Sequence, residues 1–147
     1  MTIKSPAFEQ NQSIPVLYTC EGDDINPSLV FSDIPENTKS LALIMSDPDA
    51  PRGTFTHWLI WNISPELTEI EENEWPEGAE QGLNDGGSLG YMGPCPGQGI
   101  HHYHFTLYAL SKKLDVNSNI KKEGLEREIE TCLIEKAELM GLYRRQN

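Results

Sequence analysis

The chain has 147 residues, of which 37% are hydrophobic, and carries 11 Lys and Arg against 23 Asp and Glu, a formal net charge of −12. This length predicts one domain, residues 1–147, that buries its own core. Because so acidic a surface repels polyanions, we expect no nucleic-acid partner and no docking on anionic membranes. The Glu-rich stretch 66–80 is expected to be a solvated surface loop.

Location is predicted from apolar runs and cysteines. The N-terminus lacks the apolar segment of a secretory leader, and the longest clean apolar run, Leu41 to Met45, is too short to span a bilayer. Cys20, Cys95 and Cys132 are odd in number and widely spaced, which favours reduced thiols over a disulfide framework. We therefore predict a cytoplasmic protein without stable membrane insertion.

Short strand-like runs separated by Gly and Pro predict a mainly β fold. Their spacing favours antiparallel sheets over repeated β–α units. After the last run, an apolar stripe at helical spacing predicts a C-terminal amphipathic helix that packs on the sheet and stops at Gly141. The predicted strands are Ile14 to Thr19, Ser28 to Phe31, Ser40 to Ser46, His57 to Ile63 and His101 to Leu110. The stripe consists of Leu125, Ile129, Cys132, Leu133, Ala137 and Met140.

All four histidines lie in two of these predicted strands. Because side chains alternate between the two faces of a strand, His101 and Tyr103 should project together, while His102 and His104 point away from them. In the earlier strand, strict alternation gives His57 the same face as Leu59, Trp61 and Ile63.

Two irregular segments precede these histidines. Two prolines in segment 46–53 prevent regular pairing, so this segment should be rigid and present Asp47 and Asp49 at a strand end. The Gly- and Pro-rich segment 90–100 leads directly into His101. If these segments converge with His57, they form a small polar pocket of hydrogen-bond donors.

Three motifs together resemble the phosphatidylethanolamine-binding protein family, most closely its bacterial and archaeal branch described as Raf-kinase-inhibitor-like. They are Asp47-Pro-Asp-Ala-Pro51, then His57-Trp58, and then Gly93-Pro-x-Pro-x-x-Gly-x-His101-x-Tyr103. Further matching segments run from residues 18–22 to residues 139–143, so the likeness covers nearly the whole chain.

This resemblance implies antiparallel β-sheets with Greek-key connections and a pocket for phosphate, phosphorylated headgroups or small acids. It also suggests a cis peptide at Ala50–Pro51. The sequence departs from the family pattern at Gly97, where a second proline is common, and at His102, where arginine is usual. Carried over residue by residue, the ligand-binding residues would be Asp47, Asp49, Pro51, His57, Gly93, His101 and Tyr103.

The leading hypothesis is a non-enzymatic module that binds a small anionic or phosphorylated ligand, with no cofactor, no metal and no catalytic residue. The resemblance allows inhibition of a kinase or protease, and a homodimer by analogy. The alternative is a hydrolase that uses an Asp, His and Tyr acid–base set, or a metal held by Asp47, His57 and His101. Because two aspartates belong to the pocket, we expect weak binding that tightens below about pH 6.5 as imidazoles protonate.

Overall fold

The computed structural model describes residues 1–146, which form eight strands and one α-helix. The predicted mainly β class, with one helix near the C-terminus, is confirmed. In chain order the elements are β1 (Thr2–Lys4), a 3-10 turn (Val16–Tyr18), β2 (Leu29–Ser32), β3 (Ser40–Asp47), β4 (Phe55–Ile63), β5 (Glu69–Ile70), β6 (Glu80–Gln81), β7 (Ile100–Leu110), α1 (Lys122–Glu130) and β8 (Leu133–Arg144).

The strands form two antiparallel sheets. The smaller has the order β1-β2-β5 and the larger the order β6-β4-β3-β7-β8. Within the larger sheet, β7 follows a long connection and returns beside β3, which gives the order β7-β3-β4-β6 of a Greek key. This connection brings the start of β7 to the end of β3.

The central strands β3 and β4 are apolar on both faces because both faces of the larger sheet are covered. On one face, Leu43 and Phe105 belong to a core shared with Phe31 of the smaller sheet. On the other face, Ile44 and Trp61 belong to a second core with α1. Burial on two sides explains why these runs lack the alternation of a half-exposed strand.

The three tryptophans lie in different environments. Trp58 and Trp61 are 1% and 0% exposed, whereas Trp75 is 48% exposed. The Trp58 indole N–H donates to Oε1 of Gln81 at 2.8 Å, and its ring meets Tyr91 edge-on with centroids 5.4 Å apart. The first two tryptophans therefore belong to the core.

The predicted C-terminal helix is wrong over most of its length. Only Leu125 and Ile129 of the stripe lie in α1, and β8 begins at Leu133. Strand β8 pairs with β7 along nearly its whole length, and its inward residues Leu139, Gly141 and Tyr143 recur with period two. Gly141 is therefore a buried strand residue and not a helix stop.

The predicted first strand is also wrong. Val16–Tyr18 forms a 3-10 turn preceded by Pro15, and a proline removes a ladder donor. Just before this turn, Ile14 donates its backbone N–H to the carbonyl of Leu142 at 2.7 Å and so covers part of the outer edge of β8.

The Glu-rich stretch 66–80 is exposed at every one of its glutamates, as predicted, although it also contains β5. Among residues 1–146, no helix is long and apolar enough to cross a membrane.

Candidate functional site

Three strand ends meet at one edge of the larger sheet. Because β3 runs antiparallel to both neighbours, its end lies beside the first residue of β4 and the early part of β7. Asp47 pairs with Phe55, and Ser46 pairs with His104. The two irregular segments, 46–53 and 90–100, therefore lie on either side of this edge. This is the convergence that the predicted pocket needs.

A cavity of about 440 Å³ opens at this edge. Five of the seven predicted ligand-binding residues line it, and Asp49 and Gly93 do not. Arg52 is the only Lys or Arg among the lining residues. The cavity is lined by Asp47, Ala50, Pro51, Arg52, Gly53, Phe55, His57, Met92, Cys95, Pro96, Gly97, His101 and Tyr103.

A β-bulge turns His57 toward the cavity. Met45 pairs with Trp58 but the next residue, Ser46, pairs with Thr56, so His57 is the extra residue of β4. Its ring lies 5.3 Å from that of Tyr103, centroid to centroid, and not on the face of Leu59 and Trp61. The expected shared face was therefore wrong; a second register shift likewise moves Ile63 to the core between the sheets.

His57 is buried and held in one orientation. Its Nδ1 lies 2.6 Å from the carbonyl oxygen of Met92. Because a carbonyl only accepts, Nδ1 carries the hydrogen. Burial lowers the pKa of His57, and the carboxylates of Asp47, Asp24 and Asp85 oppose that effect without reversing it.

Asp47 links the loop after β3 to His101. One carboxylate oxygen accepts from the backbone N–H of Asp49 at 2.8 Å, and the other lies 2.6 Å from Nδ1 of His101. Both side chains are buried. Asp47 thus forms a turn and orients a histidine at the same time.

No group of three or more His, Cys, Asp or Glu in residues 1–146 is arranged to hold a metal ion. Asp47, His57 and His101 therefore do not form the two-His, one-carboxylate site that the sequence left open.

Tyr103 lies between the two histidines. Its ring stacks on His101 with centroids 6.4 Å apart and meets His57 edge-on. The side chain is fully buried, and its hydroxyl has no hydrogen-bond partner within residues 1–146. Burial and the charges of Asp47 and Asp49 raise the Tyr103 pKa; the nearby Cys95 backbone opposes this rise but completes no hydrogen bond. The hydroxyl is therefore protonated and free to donate.

Asp49 is drawn out of the cavity by His102. One Asp49 oxygen accepts from the His102 backbone N–H at 2.8 Å and lies 2.5 Å from Nδ1 of the same residue. This contact lowers the Asp49 pKa. His104 meets Glu138 on the same outer face, so the prediction that His102 and His104 point away is confirmed.

Gly93 does not line the cavity but anchors segment 90–100, which forms part of its wall. Its backbone N–H donates to Oδ1 of Asp24 at 2.7 Å, and a Cβ at this position would collide with the carbonyl oxygen of Tyr18. Sequence reasoning missed Asp24, which anchors the loop that carries Met92, the partner of His57.

A family model described as phosphatidylethanolamine-binding protein matches residues 4–144. The chain belongs to the phosphatidylethanolamine-binding protein family. The resemblance read from the three motifs is thereby confirmed, and the cavity lies where those motifs meet.

Sequence relatives and solved structures match this chain over nearly its whole length. A UPF0098 protein from Methanothermobacter thermautotrophicus is 47% identical, and the alignment covers 99% of both chains. A homologue from Chlamydia trachomatis superposes with a TM-score of 0.94 at 39% identity, covering 99% of this chain and 97% of the other. YbcL from E. coli gives 0.92 at 32% identity, with 99% and 98% covered.

Two expectations about this family member are corrected. Among residues 1–146 there is no cis peptide, so Ala50–Pro51 is trans, the lower-energy state of an X–Pro bond. Cys20 and Cys95 form a disulfide with Cα atoms 5.4 Å apart, and only Cys132 is a free thiol. The sequence did not indicate this pair because the two cysteines are far apart along the chain and come together only in the folded protein.

Proposed function

We propose that the protein binds a small oxyanion, a phosphate or a phosphorylated group, in the cavity between segments 46–53 and 90–100. The observation that carries this proposal is the Tyr103 hydroxyl. A buried hydroxyl without a partner is destabilising by about 1–3 kcal/mol. A ligand oxygen that accepts from Tyr103 removes this penalty.

The rest of the lining supports the same ligand class. The guanidinium of Arg52 supplies a positive charge at the exposed side of the cavity, and arginine recognises phosphate and carboxylate groups well. Phe55, Met92 and Pro96 make the remaining wall apolar, which strengthens polar contacts by excluding water. In a chain of net charge −12, this supports weak and local recognition of an anion.

The test removes the two histidines of the cavity. We expect the double variant His57→Ala, His101→Ala to bind methyl phosphate at least about 10-fold more weakly than the unmodified protein, as measured by calorimetry. The control is His104→Ala, which removes a histidine that contacts Glu138 on the opposite face of the sheet. Equal binding by the first variant and the unmodified protein would place the ligand elsewhere.

A regulatory role is proposed from family resemblance. The ligand site would then present or sequester a phosphorylated group of a kinase, a protease or another partner, with a homodimer as the expected assembly. The cytoplasmic location stays a prediction, and its cysteine argument no longer holds because Cys20 and Cys95 are bonded.

The buried Asp47–His101 pair keeps the hydrolase alternative open, because a carboxylate that orients an imidazole is part of many acid–base sites. Turnover of a panel of phosphoesters and carboxylic esters, lost in His101→Ala, would favour that alternative. Under the binding proposal we expect no turnover.

A further inference from the structure

The two nitrogens of His57 have different surroundings. Nδ1 carries its hydrogen toward the carbonyl of Met92. Nε2 has no hydrogen-bond partner among residues 1–146, and the side chain lines the cavity. In the neutral ring, a nitrogen without hydrogen is an acceptor. His57 therefore offers the ligand a lone pair and not a hydrogen.

Burial keeps this ring neutral. His57 is 4% exposed, and its pKa is lowered because the charged form is desolvated. Above the ordinary histidine pKa of about 6.5, the protein thus presents an acceptor at this position.

Tyr103 offers the complementary group. Its hydroxyl has no partner in the protein and can donate, and its ring centroid lies 5.3 Å from that of His57. Hydrogen bonds of about 2.7–3.0 Å from two oxygens of one tetrahedral ligand would satisfy both groups. The ligand must accept from Tyr103 and donate to His57.

We propose that the cavity selects oxyanions that carry one proton, such as the monoanion of a phosphate monoester, whose P–OH group donates to Nε2 of His57 while another oxygen accepts from Tyr103. This inference rests on the proposed function and specifies the ligand of that same site. A fully ionised phosphate would set its lone pairs against that of Nε2.

Other titratable groups surround His57. Asp24, Asp47 and Asp85 act on it electrostatically, and Arg52 and His101 share the cavity. Asp49 does not line the cavity but acts electrostatically on Tyr103. Titration of any of these groups changes the binding affinity of two ligands of equal charge to the same extent. A comparison of two equally charged ligands therefore separates the effect of the ligand's proton from theirs.

Methyl phosphate and methyl sulfate provide that comparison. Both are tetrahedral monoesters, but only the phosphate monoanion has a hydroxyl, which ionises with a pKa of about 6. At pH 6 we expect methyl phosphate to bind the unmodified protein at least about 10-fold more tightly than methyl sulfate. From pH 8 to pH 6 the methyl phosphate affinity should rise roughly 50-fold, as its monoanion fraction rises from about 1% to about 50%.

Calorimetry in two buffers of different ionisation enthalpy counts the protons. At pH 7.5 we expect close to one proton taken up per methyl phosphate bound and none per methyl sulfate, because only the phosphate can accept one. Equal affinities at pH 6, or proton uptake with methyl sulfate, would show that the protein and not the ligand is protonated, and would overturn this inference.

A variant locates the effect. In His57→Phe, which keeps a ring beside Phe55 and Tyr103 but lacks Nε2, the preference for methyl phosphate over methyl sulfate should fall to about one. A variant that keeps the preference contradicts the assignment to His57. If neither ligand binds the unmodified protein, the proposed function itself fails, which is a different result from loss of selectivity.

Discussion

A single hydroxyl at Tyr103 has opposite effects on folding and on binding. It is buried without a partner in the ligand-free protein, so the folded state bears the desolvation penalty that a ligand would remove. Unpaired buried hydroxyls of this kind are typical of binding sites in which the ligand supplies the missing hydrogen-bond partner, because the hydroxyl does not stabilise the fold by itself.

Tyr103→Phe should therefore separate the two properties. We expect the free energy of unfolding to stay the same or to rise by up to about 1 kcal/mol, since no hydrogen bond is lost. We expect affinity for methyl phosphate to fall about 10-fold. Urea unfolding and calorimetry measure the two quantities; a clear loss of stability would mean that the hydroxyl has a partner in the folded protein.

The individual site residues divide into those that alternation predicts and those that it cannot. His101 and Tyr103 share a face, as a regular strand requires. His57 reaches the same cavity only because of a bulge, and a bulge depends on how β4 pairs with β3, which no local pattern records. The motif resemblance, and not the periodicity, placed His57 in the pocket.

At the level of elements, β8 shows how one sequence fits two periodicities. Its apolar residues fall at helical spacing together with those of α1, yet every second residue from Ala137 to Tyr143 also faces the core. Pairing with β7 satisfies the backbone groups on one side of the strand, and residues 10–14 bond to Met140 and Leu142 on its outer edge. This segment forms a strand because it pairs with β7, a contact that no local pattern in the sequence records. The disulfide likewise depends on a contact between distant residues, since its cysteines are 75 residues apart.

Gly141 provides a test of this assignment. A Cβ at this position would lie 2.6 Å from Cγ1 of Ile14 and 2.7 Å from Cε2 of Phe8. Gly141→Ala should therefore lower the free energy of unfolding by about 1–3 kcal/mol through overpacking. At a helix end, the same change would leave these core atoms undisturbed.

Gly97→Ala is the matched control, because a Cβ there meets nothing within 4 Å and the backbone is not left-handed. Its unfolding midpoint in urea should stay close to that of the unmodified protein. Equal stability of both variants would contradict the buried position of Gly141 against Phe8 and Ile14.

For the whole molecule, acid should weaken folding while it strengthens binding. Burial lowers the pKa of His57 in the folded state, so below the ordinary value of about 6.5 the unfolded chain binds a proton that the folded chain refuses. Stability due to this group is complete above that value and is lost as the pH falls through the folded-state pKa.

We expect the free energy of unfolding to fall between pH 7.5 and pH 5.5, with His57 contributing at most about 1.4 kcal/mol per pH unit. Urea titrations at both pH values should show a smaller fall in His57→Phe. Equal falls would show that His57 is not the source of this acid sensitivity, because the lowered pKa of a carboxylate such as Asp49 affects stability only below about pH 5.

The three tryptophans provide a fluorescence signal for ligand binding in the cavity. Trp75 is half exposed, so acrylamide should quench it selectively and Trp75→Phe should leave a blue-shifted emission from the two buried indoles. Trp58 touches Tyr91, the residue before Met92 in the cavity wall. A ligand that moves this wall alters the surroundings of an indole, and occupancy of the cavity becomes an optical signal without any attached dye.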